Sequence, residues 1–228
     1  MILAAGRGER MRPLSDTIPK PLLEVAGKPL IVHAVEKLVA AGFVELVVNL
    51  GYRGGQIRGF LEDGSRWGAA IAYSDEGVRP IGTGAGLARA LPLLGPGPFV
   101  VTSADLRTDF PFERLREVEV REVHLVLVAN PDHNPGGDFA LEHGALRRSG
   151  PDRLTYSGIG LCSPAAFQPV IAGAAALAPY LDRACERGTA SGEVHRGEWD
   201  NVGTPAQLAA ARSRATPTSG PWERRQGR

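Results

Sequence analysis

The chain has 228 residues, of which 43% are hydrophobic and 22% charged, with a formal net charge of +1. This length suffices for one sizeable hydrophobic core. The near-neutral charge gives no support for binding to nucleic acid, and no apolar stretch reaches the ~20 residues of a membrane span. The two cysteines, Cys162 and Cys185, are isolated and suit a reducing cytoplasm, and a single disulfide between them is the alternative.

The first half of the chain alternates predicted strands and helices. A short apolar run over residues 2–5 predicts a strand that ends at Gly6, and residues 28–42 have the apolar spacing of a helix. Further strands are predicted at 44–50, 69–73 and 99–103, and further helices at 53–62 and from Gly82 onwards. This rhythm implies right-handed crossovers, and therefore an α/β, Rossmann-like, mostly parallel sheet with helices on both faces.

The second half is less regular and richer in short strands. The predicted elements are a strand at 123–129, hairpin-like strands within 130–150, a strand at 156–161, a helix at 177–187, short strands within 190–202 and a helix at 205–212. We therefore expect one domain over residues 1–212. Residues 213–228 mix Pro, Gly, Ser, Thr and Arg without an apolar pattern, and are expected to form a disordered tail.

Residues 2–14 carry the strongest chemical signal. Gly6 and Gly8 permit close approach of the backbone to a ligand, and three arginines (Arg7, Arg10 and Arg12) offer forked donors that suit phosphate oxygens. No Gly-Lys-Ser/Thr follows, so this is not a P-loop, and Met11 stands where a dinucleotide-binding fingerprint needs glycine. The pattern favours a phosphate-binding loop over an ordinary surface turn.

The same stretch resembles the signature of the sugar-1-phosphate nucleotidyltransferases. Its residues L-A-A-G-x-G-x-R-M-x-P-L-S are followed by Pro19-Lys20-Pro21, and further matches lie at 82–86, 103–105, 137–139, 156–159 and 202–205. The resemblance implies the fold of the nucleotide-diphospho-sugar transferases, with a nucleotide-binding half over about 1–110 and a small β-rich sugar-binding half over about 111–212. Within the family, the chain is most similar to the short bacterial uridylyltransferases of peptidoglycan recycling, which act on N-acetylmuramate 1-phosphate.

The resemblance assigns catalytic roles to three residues. Arg10 matches the residue that binds the departing phosphates. Lys20 matches the residue that bridges the α-phosphate and the sugar phosphate, and Asp105 matches the metal-binding aspartate. Without the resemblance, Lys20 could be a solvated lysine and Asp105 a helix cap. The implied nucleotide-binding residues are Leu3, Ala4, Ala5, Gly6, Arg7, Gly8, Glu9, Arg10, Lys20, Asn49, Gly82, Thr83 and Gly84.

The implied cofactor is Mg²⁺, which binds one or two carboxylates together with substrate phosphates. Relatives place a second metal-binding aspartate immediately before Val-Gly-Thr, but here Asn201 occupies that position and the carboxylate lies one residue earlier, at Asp200. Adjacent strand residues face opposite ways, so Asp200 can replace the usual ligand only if the backbone bulges. Both residues remain candidates, and Asn201 is favoured.

Four residues match positions that contact the sugar in relatives: Ser103, Asp138, Gly158 and Glu193. Each of the last three, taken alone, could equally be a routine turn or surface residue. Ser103 departs from the family pattern, which has asparagine two places before the metal aspartate. A shorter hydroxyl changes the reach of this side chain, so the acceptor sugar could differ from that of relatives.

Two functions from different classes follow. In the first, the chain joins UTP or dTTP to a sugar 1-phosphate, with N-acetylmuramate 1-phosphate or a related hexose 1-phosphate as acceptor. In the second, the same fold is a non-catalytic nucleotide or sugar-phosphate sensor, which the departures at Ser103 and Asn201 would favour. Intact Arg10, Lys20 and Asp105 favour the enzyme. The expected partners are a nucleoside triphosphate and a sugar 1-phosphate, with no nucleic acid or membrane partner.

Overall fold

The computed structural model describes residues 1–170 and 175–214. Its strands are β1 (Ile2–Leu3), β2 (Glu24–Val25), β3 (Lys28–Pro29), β4 (Glu45–Leu50), β5 (Ala70–Asp75), β6 (Phe99–Ser103), β7 (Leu106–Thr108), β8 (Val123–Val128), β9 (Ala140–Glu142), β10 (Ala145–Arg147), β11 (Thr155–Cys162), β12 (Ala190–Val194) and β13 (Trp199–Asn201). Its α-helices are α1 (Leu30–Ala40), α2 (Gly54–Leu61), α3 (Thr83–Leu94), α4 (Ala178–Glu186) and α5 (Pro205–Arg214).

Helix α1 illustrates how local sequence sets element boundaries. Pro29 precedes the helix with extended backbone angles, since its ring fixes φ and it has no N–H to donate. Gly42 follows the last turn with φ of 82°, a left-handed conformation that favours glycine, and its N–H donates to the Val39 carbonyl. The predicted boundaries of this helix are therefore close to those observed.

Nine strands form one sheet in the order β5-β4-β1-β6-β11-β8-β12-β10-β9. The four strands β5, β4, β1 and β6 are parallel, as predicted for the first half. The chain builds outwards from β1 to β4 and β5, and then returns to place β6 on the other side of β1. This reversal creates a crevice at the carboxyl ends of β1 and β6, the usual ligand position in open α/β sheets.

The second half adds strands that run in both directions. Strand β11 lies antiparallel to both β6 and β8, whereas β12 is parallel to β8. Because β11 is reversed, its first residues lie at the sheet edge where β1 and β6 end. The expected mostly parallel sheet is confirmed, and this antiparallel insertion brings the start of β11 to the crevice.

Helices cover both faces of the sheet, as predicted. One apolar cluster contains α1 and α2 residues such as Ile31 and Ile57, and a second contains α3 and α4 residues such as Leu87 and Tyr180. A smaller cluster joins Met11 to α5 beside the crevice. In the described residues, no helix is long and apolar enough to span a membrane.

The predicted tail begins later than expected. Ser213 and Arg214 continue α5, and the Arg214 guanidinium pairs with the Asp200 carboxylate. The expectation of disorder for this part of the chain therefore needs correction at its first two residues. The remainder of that prediction, residues 215–228, lies outside the described residues.

Candidate active site

A cavity of about 730 Å³ opens at the carboxyl ends of β1 and β6. Most of the predicted site residues line it: Leu3, Ala4, Ala5, Gly6, Arg7, Gly8, Glu9, Arg10, Lys20, Asn49, Gly82, Thr83, Ser103, Asp105, Gly158 and Asn201. Four predicted residues are absent from this lining: Gly84, Asp138, Glu193 and Asp200. The cavity therefore unites segments that are distant in sequence, mainly from the first half of the chain.

The loop of residues 4–10, hereafter the glycine–arginine loop, forms one wall of the cavity. Gly8 has φ of 66°, and a Cβ built there would lie 3.1 Å from the Lys20 Cβ, so a larger residue would crowd the lysine. The Ser15 hydroxyl donates to the Gly8 carbonyl at 2.8 Å. A Cβ at Gly6 would meet no atom within 4 Å, so the loop has open space at that point.

Lys20 and Asp105 form an ion pair inside the cavity. Their side chains are only 13% and 24% exposed, so both charges are partly removed from water. Pro19 and Pro21 restrict the backbone on either side of the lysine. The side chain of Lys20 is thus directed into the site, and each charge neutralises the other in the free protein.

A two-stranded ribbon of β7 and β13, hereafter the β7–β13 ribbon, carries the second candidate metal ligand. The Val202 N–H donates to the Asp105 carbonyl at 3.0 Å, which holds Asn201 beside the aspartate. The Asn201 Oδ1 atom is buried and has no hydrogen-bond partner in the described part of the chain. Asn201 lines the cavity, and an unpaired amide oxygen can coordinate a cation.

Asp200 faces away from the cavity. Its carboxylate pairs with Arg107 at 3.2 Å and with Arg214, and its register partner across the ribbon is Arg107. The pairing from Trp199 to Asn201 is regular, without a bulge. Alternation along this strand therefore turns Asn201 inwards and Asp200 outwards, and the structure does not bring Asp200 to the candidate metal site.

Asn49 lines the cavity, but its side chain is already engaged by the protein. Its Oδ1 accepts the Ala4 N–H at 2.7 Å, and its Nδ2 donates to Glu76 Oε1 at 2.7 Å. The other Glu76 oxygen accepts the Ile81 N–H at 3.0 Å. Through Asn49, Glu76 therefore links the glycine–arginine loop to the segment before Gly82. The residues involved are distant in sequence, so this role gives no local sequence signal.

Gly84 is buried against neighbouring backbone. Its N–H donates to the Ala175 carbonyl at 2.9 Å, and a Cβ there would lie 2.3 Å from the Ala176 carbonyl oxygen. Gly82 is similarly tight, with a Cβ position 2.4 Å from the Ala175 oxygen. Gly82 and Thr83 reach the cavity, whereas Gly84 provides the close packing at the start of α3.

The predicted sugar-binding residues divide into two pairs. Ser103 and Gly158 lie side by side in the cavity, because a Cβ on Gly158 would be 3.0 Å from the Ser103 hydroxyl. An irregularity between Tyr156 and Ile159 in β11 produces this approach. Trp199 supports it by donating its indole N–H to the Ser157 carbonyl at 2.9 Å. Tyr156 and Ser157 were therefore missed as cavity residues, although their motif was noted.

Asp138 and Glu193 are held outside the cavity. Asp138 accepts the Tyr156 N–H at 2.8 Å and so supports a cavity residue indirectly. Glu193 lies 3.5 Å from His124 Nε2 and 2.6 Å from the Arg114 guanidinium. The contact with His124, together with the charge of Arg114, lowers the pKa of Glu193 below its ordinary value. Its carboxylate is thus committed to an internal charge cluster.

Comparisons with known proteins show the family of this chain. The family model described as nucleotidyl transferase matches residues 1–137. The N-acetylmuramate alpha-1-phosphate uridylyltransferase of Neisseria meningitidis serogroup B is 46% identical, over 98% of this chain and 99% of its own. The enzyme of the same name from Caulobacter vibrioides is 34% identical, over 94% and 95%.

A solved structure shares the fold at low sequence identity. UDP-glucose pyrophosphorylase in complex with UDP-glucose superposes with a TM-score of 0.77 at 19% identity, covering 93% of this chain and 95% of its own. The family match spans the glycine–arginine loop, Lys20 and Asp105, and the relatives span nearly the whole chain. The chain therefore belongs to the nucleotidyl transferase family and is one of its sugar-1-phosphate nucleotidyltransferases.

Proposed function

We propose that the chain transfers a uridylyl group from UTP to N-acetylmuramate α-1-phosphate and releases pyrophosphate. The observation that carries this proposal is the 46% identity, over nearly the full length of both chains, to an enzyme named for that reaction. The cavity supports it, since Arg10, Lys20 and Asp105 line one space. Uracil and thymine differ by one methyl group on the base, so dTTP is the alternative donor to be tested.

In this reaction an oxygen of the sugar phosphate attacks the α-phosphorus, and the bond to pyrophosphate breaks on the opposite side. The protein contributes mainly positioning and neutralisation of charge. Lys20 is suited to bridge the attacking phosphate and the α-phosphate. To do so it leaves Asp105, so the ion pair of the free protein exchanges for contacts with the substrates. Arg10 is suited to the departing phosphates.

The residues present fit a sparse Mg²⁺ site. Among the described residues, no group of three or more His, Cys, Asp or Glu side chains could hold a metal. One carboxylate (Asp105) and one unpaired amide oxygen (Asn201) suit an ion that takes most of its ligands from phosphates and water. When bound, Mg²⁺ would neutralise phosphate charge at this edge of the cavity.

The proposal also places the protein in the cytoplasm and in peptidoglycan recycling. Its support is the similarity to the two named uridylyltransferases, whose sugar is a peptidoglycan component. Both cysteines are buried and free, in agreement with a reducing compartment.

A pyrophosphate-release screen tests the proposal. The purified protein is assayed with four nucleoside triphosphates against a panel of sugar 1-phosphates, with and without Mg²⁺. We expect the highest kcat/KM with UTP and N-acetylmuramate α-1-phosphate, and no release without a divalent metal. Preference for another sugar 1-phosphate would overturn the acceptor assignment, and tight nucleotide binding without turnover on any acceptor would instead support the sensor function.

A further inference from the structure

Arg7 is the cation of the glycine–arginine loop that the family signature leaves open. In L-A-A-G-x-G-x-R it occupies the first variable position, between Gly6 and Gly8. Its side chain is exposed and lines the cavity, and it makes no ion pair with a described residue. A long, exposed arginine normally samples many rotamers, so its effect on a ligand depends on what holds it in place.

Tyr52 provides that support. The Arg7 guanidinium carbon lies 5.3 Å from the centroid of the Tyr52 ring, within the range of a cation–π contact. The tyrosine is fixed to the same loop through its backbone, because its N–H points to the Ala5 carbonyl at 3.4 Å. The preceding residue packs closely, since a Cβ on Gly51 would lie 2.4 Å from the Ala5 oxygen.

A second arginine holds the ring from outside the cavity. Arg53 Nε donates to the Tyr52 hydroxyl at 3.1 Å, and its guanidinium carbon lies 5.5 Å from the ring centroid. The same guanidinium donates to the Asp16 carbonyl. Tyr52 is thus tied to the loop by its backbone and to the 12–18 segment through Arg53, which leaves its ring as a fixed platform for Arg7.

The positions of Arg7 and Tyr52 indicate which phosphate groups Arg7 contacts. In the proposed function, the Lys20–Asp105 pair lies at the reacting phosphate, and the adjacent Ser103 and Gly158 lie at the acceptor side of the cavity. In-line transfer requires the pyrophosphate to depart away from the acceptor. Arg7 belongs to the glycine–arginine loop and not to the strands that carry Ser103 and Gly158, and its guanidinium lies over Tyr52, in the segment after β4.

We propose that Tyr52 is a positioning residue that holds Arg7 for the two outer phosphates, which leave as pyrophosphate. This inference rests on the proposed function, which supplies a nucleoside triphosphate as substrate and assigns the reacting phosphate to Lys20 and Asp105. An exposed cation–π contact corresponds to a roughly twofold to fivefold change in affinity. The effect belongs to ligands that contain the pyrophosphate group and not to the nucleoside monophosphate.

Isothermal titration of inorganic pyrophosphate and of UMP, each with Mg²⁺, tests the proposal. For Tyr52→Leu we expect pyrophosphate affinity to fall roughly twofold to fivefold while UMP affinity is unchanged. Tyr52→Phe keeps the ring and its contact with Arg7 but loses the hydroxyl bond to Arg53, so its pyrophosphate affinity is expected to fall less than that of Tyr52→Leu. Tyr73→Leu is the matched control, since Arg58 lies 4.9 Å from the Tyr73 ring centroid outside the cavity. It should change neither affinity.

The Arg7→Ala variant tests whether Tyr52 affects pyrophosphate binding through Arg7. Adding Tyr52→Leu to Arg7→Ala should cause no further loss of pyrophosphate affinity, because the group that Tyr52 positions is gone. Full additivity of the two losses, equal weakening of UMP and pyrophosphate, or no pyrophosphate binding by the unaltered protein would each overturn the inference. Failure of the acceptor screen would leave these binding results intact, so the two proposals can fail separately.

Discussion

The two halves of the chain contribute residues to the cavity in different ways. In the first half, the residues singled out by sequence follow the ends of parallel strands, and nearly all of them line the cavity. In the second half, Asp138, Glu193 and Asp200 engage other protein groups, while Gly158 and Asn201 face inwards. A parallel strand followed by a loop directs consecutive residues to one edge. A short antiparallel strand divides neighbouring residues between two faces.

Asp105→Asn tests the first half with the largest expected effect. The amide keeps the shape of the side chain but removes the carboxylate charge offered to the metal and to Lys20. We expect kcat to fall on the order of 10²–10³-fold, equivalent to several kcal/mol of lost charge stabilisation, with the melting temperature nearly retained. Steady-state kinetics at saturating Mg²⁺ measure this, and unchanged turnover would remove Asp105 from the catalytic assignment.

Lys20→Ala should have the next largest effect. The lysine is proposed to neutralise charge that grows on the α-phosphate during the reaction, so its loss should lower kcat by roughly 10²-fold and change the nucleotide KM little. Separate kcat and KM measurements decide this. A raised KM with normal kcat would show that Lys20 serves only ground-state binding. Lys37→Ala, which alters a lysine of α1 outside the cavity, is the control.

Variants of Asp200 and Asn201 test which of these two neighbouring side chains faces the candidate metal site. Because Asn201 lies beside Asp105 and Asp200 pairs with Arg107, Asn201→Asp should replace a neutral amide oxygen by a charged carboxylate at the candidate metal site. The half-saturating Mg²⁺ concentration should fall roughly tenfold, equivalent to about 1.4 kcal/mol. Asp200→Ala should change it less than about twofold on the same scale. Magnesium titrations of initial rate measure both, and the reverse ranking would contradict the orientation of the β7–β13 ribbon.

Asp200→Ala should nevertheless cost some stability, because Arg107 loses one carboxylate partner and Arg214 its partner among the described residues. Arg107 retains Glu198 at 3.3 Å, which limits the loss.

Glu193→Gln has the smallest expected effect on catalysis, because Glu193 lies outside the cavity. The pKa of Glu193 is lowered on folding, so its ionised form stabilises the protein above the ordinary value of 4.5. That contribution is lost as pH falls through the still lower folded pKa. Glu193→Gln should therefore lower the free energy of unfolding at pH 7 by about 1 kcal/mol, or about 2–4 °C in Tm.

The pH dependence of the melting temperature shows whether a loss of stability in Glu193→Gln comes from the lost carboxylate charge. The difference in Tm between the unaltered protein and Glu193→Gln should shrink as pH falls below 4.5, and it should be lost as pH falls through the lower pKa of the folded carboxylate. A raised KM for the sugar phosphate in this variant, with normal Tm, would instead restore the predicted sugar contact.

Sequence alone determined the alternation of strands and helices, the glycine–arginine loop and the family. Boundaries such as those of α1 were predictable because Pro29 and Gly42 act on local backbone angles. Arg10, Lys20 and Asp105 could be named because the short motifs that contain them resemble the family signature. Their convergence in one cavity followed from the parallel order of β1 and β6, which the alternating pattern already implied.

Only the tertiary structure decided the partners of the remaining polar groups. Asn49 and Glu76 are 27 residues apart, Glu193 and Arg114 lie on different elements, and Tyr52 meets Arg7 only after β4 pairs with β1. These contacts depend on strand order, register and the irregularity in β11, which arise from packing across the whole sheet. A local pattern identifies which side chains can perform chemistry, whereas long-range pairing determines which of them face the ligand.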